Sequence, residues 1–221
     1  MKAFRLAMAA AIAGGFCAAS AQAVLVTFTG GTVTRQDSTT AVTNTLINVS
    51  SALFYEEGGF RFSFFPTTGF TDFSANVGAY YGPGNDVIHA HWATGDFGGI
   101  TSMEITQIGG GTFDLNYFTL TSNTEFGGAP ASGNEQTWVQ GFVNGNPTGA
   151  PVLLPVEDWG FPAVQIGLGP EFDAVDTVRF FVTNAVDCFG MDDFYINEIP
   201  APSTLVAGAL FGGLAMRRRR N

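Results

Sequence analysis

The chain of 221 residues is long enough for one ordinary domain or two very small ones. Its nine basic residues gather at the ends (Lys2, Arg5 and Arg217 to Arg220), apart from Arg35, Arg61 and Arg179, whereas all nineteen acids lie between Asp37 and Glu198. The body thus sets three arginines against nineteen carboxylates, a net of −16. Such a surface repels phosphate backbones and anionic headgroups, which excludes nucleic acid as a partner and suits an extracellular protein or a binder of divalent cations. Hydrophobic residues make up 46% of the chain and include 22 Phe, enough for a core and incompatible with disorder.

Residues 1–23 read as a secretory signal peptide. Lys2 and Arg5 form a positive start, residues 6–19 an apolar run, and Ala21-Gln22-Ala23 the small-x-small cleavage pattern. Phe16 before Cys17 argues against lipidation. With Cys17 removed, Cys188 is the remaining thiol, which leaves no intramolecular disulfide and no cysteine-based zinc cluster.

Residues 24–199 read as one all-β domain, an antiparallel β-sandwich or jelly roll. Period-2 alternation and Gly-rich breaks predict strands over 25–29, 59–65 (even-numbered Phe on one face), 87–93, 100–108, 112–120, 137–143, 153–156, 163–168, 175–183 and 194–199. The Ser/Thr/Asn-rich stretch 38–51 predicts a long loop with a weak strand, and 122–134 a loop. Asn144-Gly145-Asn146-Pro147 is a strong turn signal.

Residues 200–221 form a second address. Pro200-Ala201-Pro202-Ser203 breaks the chain, an apolar stretch of fourteen residues (203–216) follows, and Arg217, Arg218, Arg219 and Arg220 close it. As a helix that stretch spans roughly 21 Å against a hydrocarbon core of about 30 Å, marginal for a permanent transmembrane anchor. The arginines would hold their end in the cytoplasm. This order of motifs resembles the PEP-CTERM sorting signal of Gram-negative bacteria, with Ala201 where the family usually has Glu. The resemblance implies export, a transient inner-membrane association, cleavage near Pro-x-Pro by an exosortase-type membrane protease, and an extracellular or cell-surface destination.

In the body, Tyr55-Glu56-Glu57-Gly58-Gly59-Phe60, Gly110-Gly111-Thr112-Phe113-Asp114-Leu115 and Met191-Asp192-Asp193-Phe194-Tyr195-Ile196 occur in that order. They resemble extracellular lectin-like or carbohydrate-binding-module-like jelly rolls. In such domains a structural Ca²⁺ joins an early Glu to an Asp beside the last strand, which by position implies Glu57 and Asp192, with Glu56 and Asp193 as alternates. Hard Ca²⁺ takes carboxylate and carbonyl oxygens, which an acidic body supplies.

Sugar faces pack on flat aromatic rings. Tyr80 and Tyr81, in a Gly/Pro loop, with Trp92 and Trp159, are the candidate glycan contacts, and Trp138, mid-strand, is the expected core tryptophan. His89 and His91 share a face at strand spacing and form a two-imidazole arm that needs a third metal ligand, with Asp86, Asp96 and Glu104 as candidates. No Gly-x-Ser-x-Gly elbow supports a nucleophilic triad. The expected function is non-enzymatic adhesion to extracellular polysaccharide. The alternatives are a structural biofilm-matrix protein without a ligand site, and a glycosidase or metal-dependent enzyme using His89 and His91.

Overall fold

A computed structural model describes residues 22–67, 73–92, 99–160 and 162–197. The signal peptide up to Ala21, the tail residues Pro200, Ala201, Pro202, Ser203 and Arg217 to Arg220, and Asp96 lie outside the described residues. Among the described residues no helix is long and apolar enough to cross a membrane.

The strands in chain order are β1 (Val24–Val26), β2 (Thr32–Arg35), β3 (Thr40–Val42), β4 (Asn48–Ser50), β5 (Ala52–Glu57) and β6 (Phe60–Pro66). Then come β7 (Ala75–Gly78), β8 (Val87–His91), β9 (Ile100–Gln107), β10 (Leu115–Thr124) and β11 (Gln136–Val143). The last five are β12 (Asn146–Pro147), β13 (Val152–Leu153), β14 (Val164–Gly167), β15 (Thr177–Asn184) and β16 (Cys188–Ile196), with one 3-10 turn, Pro170–Phe172, before β15. The fold is all-β. Sheet one runs β14-β10-β16-β8-β7-β4, with β1 also on β16, and sheet two runs β12-β11-β15-β9-β6-β5-β2-β3, with β13 on β11. Every strand pairing is antiparallel.

The predicted alternation of β6 holds: Phe60, Phe62 and Phe64 are buried while Phe65 faces out. Across the seam Phe62 of sheet two meets Phe194 of sheet one edge-on, with ring centroids 5.1 Å apart. Phe180 of sheet two likewise meets Phe118 of sheet one at 5.3 Å. Each such buried ring stabilises the sandwich by about 2–3 kcal/mol through area removed from water. The Asn144-Gly145 signal is borne out: both residues have positive φ (51° and 75°), which matches a two-residue turn between β11 and β12.

Two loop expectations are corrected. The stretch 38–51 contains β3, hairpinned on β2, and β4, paired with β7. Each is three residues long, too short for alternation to show. The strand predicted to end at 120 continues as β10 to Thr124. Its polar end is buried because it is satisfied: Asn123 donates to the Pro155 carbonyl (2.8 Å) and accepts from the Thr137 hydroxyl (2.7 Å).

Candidate functional site

Along β8, Ile88 and Ala90 point into the core, so His89 and His91 project from the outer face of sheet one, as their spacing predicts. On neighbouring β16 the partner of His91 is Cys188 and the partner of His89 is Gly190. The absent side chain at Gly190 matters, since a Cβ there would lie 2.5 Å from the Tyr81 hydroxyl and 2.8 Å from Ser122 Oγ. Tyr81 therefore folds over the sheet and donates to Ser122 Oγ at 2.9 Å. Tyr80 stacks on His89 (centroids 4.1 Å, planes 17° apart). Trp159, from the segment before β14, meets Tyr81 edge-on at 4.8 Å.

The result is one continuous aromatic ridge built from three of the four predicted glycan rings and the predicted histidine pair. Burial pushes both tyrosine hydroxyls up to about 12, so they remain neutral donors and acceptors. His89 is fully buried and neither ring nitrogen has a hydrogen-bond partner among the described residues. Burial, followed by the nearby His91, holds its pKa well below the usual imidazole range.

At the other end of the ridge His91 Nδ1 lies 3.2 Å from Asp187 Oδ1 and 3.6 Å from Cys188 Sγ, and Cys188 Sγ lies 3.7 Å from Asp187 Oδ2. His91 Nε2 is 3.3 Å from the Tyr80 hydroxyl. Burial, then the neighbouring Asp187, raises the Cys188 thiol to about 12. Both Cys188 and Asp187 address the same imidazole nitrogen, so the three do not form a nucleophile–base–orienter relay. Asp187 and Cys188 were not foreseen as part of this site.

Beside Trp159 opens a groove of about 370 Å³ walled by Gly128, Ala129, Pro130 and Pro162 and edged by Glu157 and Asp158. Burial, then the adjacent Asp158, raises the Glu157 pKa. The wall is held by Glu135, whose carboxylate accepts from the backbone N–H groups of Ser132 (2.6 Å), Gly133 (2.8 Å) and Glu125 (3.2 Å).

A separate carboxylate cluster occupies a break in sheet one. One edge of β16 pairs with β8 through Met191 and with β1 from Phe194 onward, leaving Asp192 and Asp193 opposite the gap where those strands diverge. Glu57 reaches into this region and accepts from Tyr55 O–H (2.7 Å) and from the N–H groups of Phe28 (2.9 Å) and Thr27 (3.2 Å). Asp86 accepts from the Thr29 hydroxyl through Oδ2, while its Oδ1 is buried without a partner among the described residues. Burial, then Asp193, with smaller contributions from Asp86 and Glu57, pushes the Asp192 carboxyl up to about 7. The charges of Asp86 and Glu57 thus both reach Asp192. An orphaned buried oxygen among like charges fits a hard cation.

Several expectations are corrected. Trp92 is fully buried and packs on Phe189 at 5.6 Å, so it is no glycan contact: it follows Ile88 and Ala90 on the inward phase of β8. Trp138 is instead half-buried on the outer face of sheet two, where its Nε1–H donates to Thr183 Oγ1 at 2.9 Å. Glu104 is on sheet two, paired with Arg179 at 2.6 Å, and cannot assist the histidines. Asp86 belongs to the carboxylate gap. Glu56, the alternate for Glu57, is instead paired with Arg61 at 2.5 Å.

No protein-family model and no curated protein matches the chain. Among solved structures it is similar to the K1 cleaved adhesin domain of Lys-gingipain from Porphyromonas gingivalis W83, at 12% identity over 80% of this chain and 98% of that one, with a TM-score of 0.37. It is also similar to the isomaltodextranase of Arthrobacter globiformis T6 complexed with panose (12% identity, 80% of this chain, 32% of that one, TM-score 0.28). A third is the enzymatically active domain of bacteriophage CBA120 tailspike protein 4 (15% identity, 62% of this chain, 19% of that one, TM-score 0.26). These TM-scores are too low to carry an argument, so the functional reading rests on the site itself.

Proposed function

We propose that this chain is an exported, non-catalytic jelly-roll adhesin that binds extracellular polysaccharide across the ridge formed by Tyr80, Tyr81 and Trp159 and the acidic groove beside it. One observation carries the reading. Trp159 keeps 37% of its surface exposed while Tyr81 braces it edge-on, at the rim of a groove edged by Glu157 and Asp158. A braced, partly exposed ring offers the CH face of a sugar a flat apolar platform at low entropic cost, and the adjacent carboxylates accept from its hydroxyls. The tail resemblance adds the destination: sorting by exosortase and retention at the cell surface or in the exopolysaccharide.

Ca²⁺ completes the reading as a structural ion. Glu57, Asp86 and Asp192 would hold it, tying the end of β5 and the residue before β8 to β16 and relieving the mutual repulsion of the carboxylates.

The test is retention of the secreted protein on the host's own exopolysaccharide, with calcium and with chelator. Trp159→Ala is expected to weaken retention tenfold or more, about 1.4 kcal/mol, with an unchanged melting temperature. Retention equal to that of the parent protein would overturn the reading. Saturating calcium, at about a hundred times its dissociation constant, is expected to stabilise the fold by roughly 2.7 kcal/mol, and an unchanged melting temperature on chelation would remove the ion from the account. Mass spectrometry of the surface fraction is expected to find an N-terminus at Val24 and a C-terminus near Pro200. Intact terminal arginines there would overturn the sorting proposal.

A further inference from the structure

We propose that His91 Nδ1, Cys188 Sγ and a carboxylate oxygen of Asp187 form a binding site for a late first-row divalent metal, zinc foremost, on the outer face of sheet one. The three residues converge because the antiparallel register of β8 and β16 sets His91 directly opposite Cys188. Asp187, immediately before β16, is fixed by the Trp92 N–H donating to its carbonyl at 2.9 Å.

The geometry matches the ion. Zinc bonds of about 2.3 Å to sulfur and about 2.0–2.2 Å to nitrogen and oxygen place tetrahedral ligand pairs roughly 3.4–3.6 Å apart. The observed separations are 3.6 Å from sulfur to nitrogen, 3.2 Å from nitrogen to Asp187 Oδ1 and 3.7 Å from sulfur to the other Asp187 oxygen, Oδ2, so a small turn of the carboxylate brings one oxygen to both partners. One ligand atom from each of the three residues lies within 4.8 Å of the other two.

Two further features point the same way. The Tyr80 hydroxyl lies 3.3 Å from His91 Nε2 and can accept its N–H, the outer contact that fixes the tautomer of a ligand bound through Nδ1. His89, fully buried with neither ring nitrogen partnered among the described residues, has its ring centroid 5.0 Å from that of His91 and puts a second imidazole at the edge of the site. Thiolate and imidazole donors select zinc or its late first-row neighbours, whereas the all-oxygen gap at Asp86 and Asp192 suits calcium, so the two sites take different ions. Binding converts the Cys188 thiol to thiolate and releases its proton to water, and His91 binds as the neutral imidazole.

The experiment uses the full chain in a Cys17→Ser background, so that Cys188 is the one thiol. After chelation the protein is titrated with Co²⁺ and then with Zn²⁺. One equivalent of Co²⁺ is expected to give a thiolate-to-cobalt charge-transfer band in the near ultraviolet, which one equivalent of Zn²⁺ abolishes. Cys188→Ser is expected to remove the band and weaken zinc binding at least a hundredfold. Tyr80→Phe is expected to weaken it 10–100-fold while keeping the band, as loss of an outer contact does. Absence of the band in the parent protein overturns the proposal, whether or not Cys188→Ser folds, because cobalt held by carboxylates alone gives none. Zinc affinity unchanged in a folded Cys188→Ser variant overturns it equally.

Discussion

The two outer faces of the sandwich treat charge in opposite ways. On sheet two, Arg61 and Arg179 pair with Glu56 and Glu104 in the open, their side chains 44% and 43% exposed, and both guanidinium groups also rest over aromatic rings, Phe54 and Phe142. On sheet one, His89, Asp187 and Cys188 are buried, and the pKa of Asp192, raised by burial, is raised further by the charges of Asp193, Asp86 and Glu57. The third arginine of the body, Arg35, lies on β2 of sheet two and hydrogen-bonds Thr39. An exposed ion pair contributes little and leaves nothing unsatisfied. Buried titratable groups without a cation hold free energy in reserve for something that binds them. The difference is why both proposed sites lie on sheet one and around the loops that cover it.

That contrast can be broken from the sheet-one side first. Gly190→Ala would push the Tyr81 hydroxyl off the sheet, with an expected loss of about 1–3 kcal/mol from overpacking. Because Tyr81 braces Trp159, glycan retention should fall with it. Denaturant unfolding and the retention assay check this together, and a stable, fully retained variant would separate the ridge from the groove.

Next comes Glu135. Its burial raises the carboxyl pKa, but the N–H donors of Ser132, Gly133 and Glu125 outweigh that, and the net effect is a lowered value. A folded-state pKa below the unfolded value of about 4.3 contributes stability that is present above that value and lost as pH falls through the folded one. Glu135→Gln should therefore cost about 1 kcal/mol near neutral pH and less below pH ~4. Melting curves at both pH values check it, and a cost independent of pH would assign the effect to packing. The smallest effect belongs to sheet two, where Arg179→Ala should cost less than about 1 kcal/mol, shrinking further in salt, with retention untouched.

Much of the site was legible one residue at a time. Period-2 alternation places His89 and His91 on one face, and Gly/Pro content marks the Tyr80-Tyr81 loop and the segment around Trp159 as coverings. The same alternation puts Trp92 inward with Ile88 and Ala90; its ring chemistry suggested a surface role that its phase on the strand forbids. Trp138 fails the converse way, since mid-strand position does not say which face a residue takes. The family resemblance, not the alternation, points to Glu57 and Asp192, while Asp86, near His89 in sequence, is bonded to Thr29 and acts electrostatically on Asp192 instead.

What the sequence by itself determined was local: an acidic, Phe-rich, all-β body, most of its longer strands though not β2, β5 or β7, the alternation of β6 and the shared face of His89 and His91, and the Asn144-Gly145 turn. These follow from side-chain period and backbone preference, which act over a few residues. Only the tertiary structure decided which strands adjoin. The β8–β16 pairing sets His91 beside Cys188, 97 positions away, and the break between β8 and β1 along β16 leaves Asp192 within reach of the charges of Glu57 and Asp86. Register between distant strands is fixed by the fit of a whole buried face, and no short stretch of chain carries that information.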